Sequence, residues 1–233
     1  MTVFVRELHR VIGAREDEFE EVYRGPDGWM DVLGRGPDAR LLYYLAQAHG
    51  SGPSYRVVTI TAVADGAAWE RLARRVNGGD LAALARRTDT LRHDVTAEVM
   101  VALPWSPVTD VDLATVPATA ADHEPTLFME DTMWPERGRL GDYLAAAQEH
   151  YAPMLERPEA LLTLAAALVT AVGARPEVTL LQAVRDPGRI VRLLATDLGP
   201  ELRPPGSWMH DALEYRDQWR SRLLRSSRWS PWS

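Results

Sequence analysis

Apolar and polar positions along the chain fall into strand-like and helix-like stretches in an order that occurs twice. Val3 to Leu8 alternates, so Val3, Val5, Glu7 and His9 share one face and Phe4, Arg6 and Leu8 the other. Ala14 to Tyr23 carries Phe19, Val22 and Tyr23 at helical spacing opposite acidic Glu16, Asp17, Glu20 and Glu21. Gly25-Pro-Asp-Gly28 breaks that helix, and Trp29-Met30 with Val32-Leu33 adds a short apolar appendix. Leu41 to Ala48 and Tyr55 to Ala64 read as strands around a Gly50-Ser-Gly-Pro53 hairpin. Asp65 is placed to cap a helix through Val76, and Asp80 to cap a shorter one. Val95 to Leu103 closes a β-α-β-β-α-β order, and the Thr-, Ala-, Asp- and Pro-rich stretch 106–125 lacks periodicity.

The order then returns. Thr126 to Met133 is a strand. Gly138 to Leu155 is one long helix with a stripe of Leu140, Tyr143, Leu144, Ala147, Tyr151 and Met154. Leu161 to Val172 and Val178 to Val184 are strands joined through Gly173-Ala-Arg-Pro176. Ser207 is placed to cap a last helix with Trp208, Leu213 and Trp219 inward, and Ser221 to Arg228 is the final strand. Trp105-Ser106-Pro107 ends the first series and Trp229-Ser230-Pro231 the second, 124 residues on. The same offset carries Val3-Phe-Val-Arg-Glu7 onto Leu127-Phe-Met-Glu-Asp131 and Phe19 onto Tyr143. The chain therefore reads as a tandem duplication: an α+β protein of two ferredoxin-like units, 1–107 and 125–233, joined by a 108–124 linker. The prolines stop the last strands, and the two tryptophans are expected to pack each strand end on its own helices.

Composition narrows the chemistry. All 26 basic residues are arginine and there is no cysteine, which excludes Schiff-base lysines, thiol nucleophiles, thiolate metal sites and disulfides. A net charge of −7 argues against nucleic acid as a partner. The longest apolar run, Leu161 to Val172, falls short of the roughly 20 residues a membrane span needs. With no secretory pattern at its start, the chain is expected to be cytoplasmic. No Gly-x-Gly-x-x-Gly, phosphate loop or Gly-x-Ser-x-Gly occurs. The six histidines form no close pair, so no zinc site is expected; His93-Asp94 and His210-Asp211 read as helix-end caps.

The Phe4/Glu7 strand, the Asp186-Pro187 strand-to-helix turn and the terminal Leu223 to Pro231 resemble the dimeric α+β barrel superfamily, NIPSNAP-type proteins above all. The resemblance implies two units packed sheet to sheet as an intramolecular barrel. The superfamily includes cofactor-free monooxygenases, polyketide cyclases, haem-handling enzymes and proteins without known activity, among which fold analogy does not choose.

Candidate chemistry rests on a few side chains. Glu7 and Asp131 occupy equivalent places; either buried carboxyl could shuttle protons, and either could instead pair with arginine at a strand end. His9 shares the Glu7 face and could form a carboxylate–imidazole pair, or sit exposed at the strand end. His150 and Tyr151 could polarise a carbonyl, or be a surface histidine beside a core tyrosine. Trp29, Trp134, Tyr143 and Trp208 could wall a pocket for a flat apolar molecule, or fill wedges between helix and sheet. The leading expectation is a cofactor-independent cyclase, isomerase or monooxygenase of natural-product metabolism acting on a small apolar or aromatic compound. The alternatives are a non-catalytic binding or scaffold protein and, third, a haem enzyme with one axial histidine. The longer apolar strand and helix of the second half favour a cavity there, and a homodimer is open to such a chain.

Overall fold

The computed structural model describes residues 1–196 and 208–233, so Ser207 and its expected cap lie outside the described residues. The first half runs β1 (Val3–Val11), α1 (Glu16–Arg24), α2 (Trp29–Gly34), β2 (Ala39–Gln47), β3 (Arg56–Val63), α3 (Gly66–Gly78), α4 (Ala82–Asp89) and β4 (Arg92–Ala102). The second runs β5 (Leu127–Pro135), α5 (Leu140–Ala146), a π turn (Ala147–Tyr151), α6 (Ala152–Leu155), β6 (Leu162–Val172), β7 (Val178–Val184), α7 (Pro187–Thr196), α8 (Trp208–Asp211), a 3-10 turn (Ala212–Glu214) and β8 (Arg216–Ser226). All eight strands close one antiparallel barrel in the order β1-β3-β2-β8-β5-β7-β6-β4. Each half supplies four consecutive staves, and the halves meet along two seams, β4–β6 and β2–β8.

Strand alternation sends one set of side chains into the barrel and the other toward the helices, which lie outside. Inside, the registers stack layers. Phe4 lies level with Ala62 and Met100, and its counterpart Phe128 with Ala183 and Leu224. These residues are the heart of an apolar plug that closes one end. Burying Phe4 and Phe128 contributes roughly 1.5–3 kcal/mol each. One layer up stand Arg6 with Glu98 and Glu130 with Arg222; above them Leu8 and Thr96 face Thr132, Thr179 and Arg220. Outside, Phe19, Val22 and Tyr23 of α1 and Met30 of α2 pack on Val11, Leu41, Tyr44 and Val57. Tyr143, Ala146 and Ala147 pack on Met133, Ala167, Val178 and Leu180 in the second half.

Several local expectations change. The 106–125 stretch lacks helix and strand, yet Leu113 and Val116 are buried in the apolar plug, with Val108 and Val111 against it. Its apolar residues are too sparse for a period but suffice to stopper the barrel. The long helix of the second half is interrupted by the π turn. The wider turn rotates later residues off the stripe: Met154 is exposed and Leu155 is buried instead. β8 begins five residues earlier than expected, so Trp219 belongs to a strand, and Leu213 is exposed. Asp65 caps α3 by accepting from the Ala68 amide at 2.7 Å, but Leu81 precedes α4 and Asp80 pairs with Arg75 instead. Asp94 lies on β4 and pairs with Arg10, so it caps no helix.

The Trp-Ser-Pro tripeptides hold the seams. Trp229 packs against Tyr44 and the α1 residues of the first half, and Trp105 joins the helix-side core of the second. Each tryptophan therefore covers the other half, not its own. Ser106 accepts from the Ala167 amide on β6 at 3.0 Å, and Ser230 from the Tyr44 amide on β2 at 3.1 Å. The serines meet backbone donors at the two places where the halves join.

Candidate active site

The outward face of β1 carries Glu7 and His9 beneath α1 and α2. A cavity of about 240 Å3 lies there, walled by Val5, Leu33, Leu41, Trp29, Trp69 and Leu72. Polar groups enter it at a few points: Glu7, Tyr23, Thr61, Asn77, Thr88 and Arg92. Trp29 is fixed by donating from Nε1 to Thr88 Oγ1 at 2.9 Å. Tyr23, Trp69 and Arg92 are site residues the periodicity did not single out. Helical spacing marks Tyr23 as core, and Trp69 belongs to the surplus of aromatics that could wall a pocket. Arg92 lies at the start of β4 opposite Val11, from where its long side chain reaches back toward Glu7.

His9 is wholly buried, contrary to an exposed strand end, because Phe19 and Tyr23 pack across its ring. Arg92 Nη1 donates to its Nδ1 at 2.7 Å. A neutral ring that accepts at Nδ1 carries its proton on Nε2, which then donates to Thr59 Oγ1 at 3.0 Å. Burial, and next the nearby Arg92 charge, hold His9 well below the ordinary imidazole range. The ring is thus a neutral spacer that orients Thr59 and Arg92.

Glu7 sits level with Thr59 on β3. Burial raises its carboxyl above the ordinary carboxylate range, while Arg92 and a hydrogen bond from Thr59 oppose the rise. The Arg92 Nη1–Glu7 Oε1 distance is 3.9 Å, and Arg92 spends its shorter ion pair, 2.6 Å, on Asp89. Glu7 therefore keeps a raised affinity for a proton inside a mostly apolar cavity.

The equivalent place in the second half is filled with hydrogen bonds. Gln182 Nε2 donates to Asp131 Oδ2 at 2.8 Å and Ser221 Oγ to Oδ1, while the Tyr151 hydroxyl donates to Gln182 Oε1. Burial raises the Asp131 carboxyl, and those donors pull it back. Trp208 stacks on Tyr151 with centroids 5.4 Å apart and touches Tyr143, whose buried hydroxyl has no partner among the described residues. Asp131, Tyr143, Tyr151 and Trp208 thus gather in one place, together with Gln182 and Ser221. His150 is exposed on the surface, one residue off that stripe, and reaches none of them. Trp134 does not join this group either. It points into the barrel, where Nε1 donates to Glu177 at 2.8 Å. The cavity beside Glu7 is lined by first-half residues.

Inside the barrel a second network went unpredicted. Arg6 pairs with Glu130 at 2.7 Å and Glu98 at 3.2 Å, and Arg222 with Glu130 at 2.6 Å. Burial alone would raise Glu130, but Arg6 and Arg222 outweigh it and hold the carboxyl at about 2. Arg6 and Glu130 are repeat equivalents, 124 apart, and meet across the pseudo-twofold axis. Their spacing was visible in the sequence; their opposite signs were the unused signal.

The residues do not fit a histidine-ligated haem. His9 has both ring nitrogens engaged, and His123 bonds main-chain carbonyls. His49, His93, His150 and His210 are exposed on the surface.

No protein-family model and no curated protein sequence matches this chain. Solved structures do. An anthrone oxidase-like protein superposes over 97% of this chain and 91% of its own, at 8% identity and a TM-score of 0.61. A candidate monooxygenase of Lactobacillus acidophilus NCFM superposes over 96% and 93%, at 6% identity and 0.56. A variant of the chlorite dismutase of Candidatus Nitrospira defluvii covers 97% and 91%, at 9% and 0.54. The fold is that of the dimeric α+β barrels. At these identities the likeness extends to the fold alone.

Proposed function

We propose that the first half houses an acid–base site for a small apolar compound with an acidic C–H beside a carbonyl or phenol, with Glu7 as the proton acceptor. The observation that carries this reading is a carboxyl with raised proton affinity lining a cavity whose walls are otherwise mostly aliphatic and indole. In such a site Glu7 takes the proton from carbon, and Arg92 and the Tyr23 hydroxyl face the oxygen on which the negative charge collects. Return of the proton to a different carbon gives an isomerisation; attack of the carbanion on a carbonyl carbon of the same molecule, whose oxygen then takes the proton, gives a ring closure; reaction of the carbanion with dioxygen, one oxygen staying on carbon and the other leaving as water, is the monooxygenase variant. Every acid–base group is the chain's own. A cavity of about 240 Å3, below the roughly 300–1,000 Å3 of drug-sized sites, limits the substrate to one or two rings. The names of two neighbours, candidate monooxygenase and anthrone oxidase-like, are compatible with carbanion chemistry.

The test is proton exchange from 2-tetralone and 1,3-cyclohexanedione in heavy water, followed by NMR. Glu7→Gln should slow enzyme-catalysed exchange about 10²–10⁴-fold. Quenching of tryptophan fluorescence should still report binding through Trp29 and Trp69. A wild-type rate in Glu7→Gln would exclude the assignment. Binding with no exchange by the wild type would favour a carrier protein instead. The exchange rate should rise with pH along a limb above the ordinary carboxylate range, because the reactive form is the ionised one and burial raises Glu7.

A further inference from the structure

The open end of the barrel contains a second hollow, about 360 Å3, on the face of β1 opposite the Glu7 cavity. The carboxyl groups in and beneath it all lie within reach of arginine: Glu130, Glu98 and Glu177 share Arg6, with Arg222 also on Glu130, and Asp94 pairs with Arg10. Three further guanidiniums line the hollow and have no carboxylate within ion-pair reach among the described residues: Arg56, Arg175 and Arg220. Arg175 and Arg220 lie over the Trp134 ring, at 4.1 and 5.1 Å from its centroid, and Arg175 Nη1 also donates to Gln218 Oε1 at 3.1 Å, which holds both at the rim. Arg56 stands directly opposite Arg10 on the neighbouring strand, an arrangement that like charges disfavour. Its Nε is buried and makes no hydrogen bond, and beneath it the buried Arg222 leaves Nη2 unpartnered. This local excess of cations sits in a chain whose net charge is −7. Unpartnered guanidinium donors around a hollow of molecular size are what an oxyanion satisfies.

We propose that the barrel mouth binds the carboxylate or phosphate group of a small organic acid through Arg56, Arg175 and Arg220. Glu98 adds a pH dependence. It faces Arg6 on β1, Glu130 on β5 and Glu177 beside β7, with Asp94 and Thr96 on its own strand. Burial and the adjacent Glu177 push Glu98 up to about 7. Below that pH it is neutral and tolerates a second anion; above it, its charge repels one. Affinity therefore falls from pH 6 to pH 8.

Calorimetric titration of the full chain with inorganic phosphate and, separately, succinate tests this. Saturable one-to-one binding of at least one probe is expected, and the tighter probe names the oxyanion. Arg56→Gln with Arg220→Gln should weaken it roughly tenfold or more. Arg225→Gln, exposed on the outer face of the same strand as Arg220, should not. Glu98→Gln should remove the decline between pH 6 and 8. If the double variant unfolds, Arg175→Gln, on the exposed β6–β7 turn, gives the same readout. No saturable binding of either probe would overturn the proposal. So would equal weakening by Arg225→Gln, because the attraction would then be diffuse.

Discussion

Glu7 and Asp131 show how one position in a repeated unit can take two fates. Both carboxyls are raised by burial, but Asp131 receives Gln182 and Ser221 while Glu7 faces open volume. A substituted Asp131 therefore disturbs a hydrogen-bond cluster, whereas a substituted Glu7 changes a cavity wall. His9 differs again, since its ring holds Arg92 and Thr59 in place. His9→Leu strands both and should destabilise the fold by about 1–3 kcal/mol in urea unfolding. The sharing of one face by Glu7 and His9 was legible from strand alternation. That His9 is neutral was not, because it depends first on burial under Phe19 and Tyr23 and next on Arg92, 83 residues away and brought close by the β1–β4 pairing. His150 lay one residue off an apolar stripe, and that single residue put it in solvent.

At the scale of elements, periodicity located every strand and missed the features that have no period. The 106–125 stretch reads as a linker because its apolar residues are few, yet Leu113 and Val116 close the barrel end. Leu113→Ala should cost about 2–5 kcal/mol in chemical denaturation, like other buried leucines and unlike a tether. The π turn was equally hidden: nothing in the stripe announces an inserted residue, and it is seen only where Met154 turns outward. Ser106 and Ser230 mark the repeat ends in sequence. In space they fasten each half to the other, so Ser106→Ala should loosen the β4–β6 seam by about 1–2 kcal/mol. Faster hydrogen exchange at the Ala167 amide would report it locally.

For the whole molecule, the tandem order was readable because the same elements appear twice, and the barrel because the resemblance carried by the Phe4/Glu7 strand and the terminal Leu223 to Pro231 implied it. The barrel interior carries a pH signature. Glu130 sits at about 2 in the folded state against 4.5 when free, so its contribution is full above 4.5 and is lost as pH falls toward 2. Glu98 is displaced the other way, to about 7; the folded chain keeps a proton that the unfolded chain releases. Its ionisation erodes stability as pH climbs from 4.5 through 7. Unfolding midpoints measured across that interval should fall less steeply in Glu98→Gln than in the wild type.

The reversed signs inside the barrel have a consequence for lineage and assembly. The first half carries Arg6 on its leading strand and Glu98 on its trailing one; the second carries Glu130 and Arg222 at the matching places. Two copies of the first half would bring arginine against arginine across the axis, and two copies of the second, glutamate against glutamate. Each repeat is thus charge-matched to its sibling and not to a second copy of itself. Exchanging only the axial pair, Arg6→Glu with Glu130→Arg, should not rescue the chain, since each reversed charge then meets its like within its own half. Split between 107 and 125, the two fragments should associate as a mixed pair and refuse to self-pair, which size-exclusion chromatography of each fragment alone and of the mixture would report.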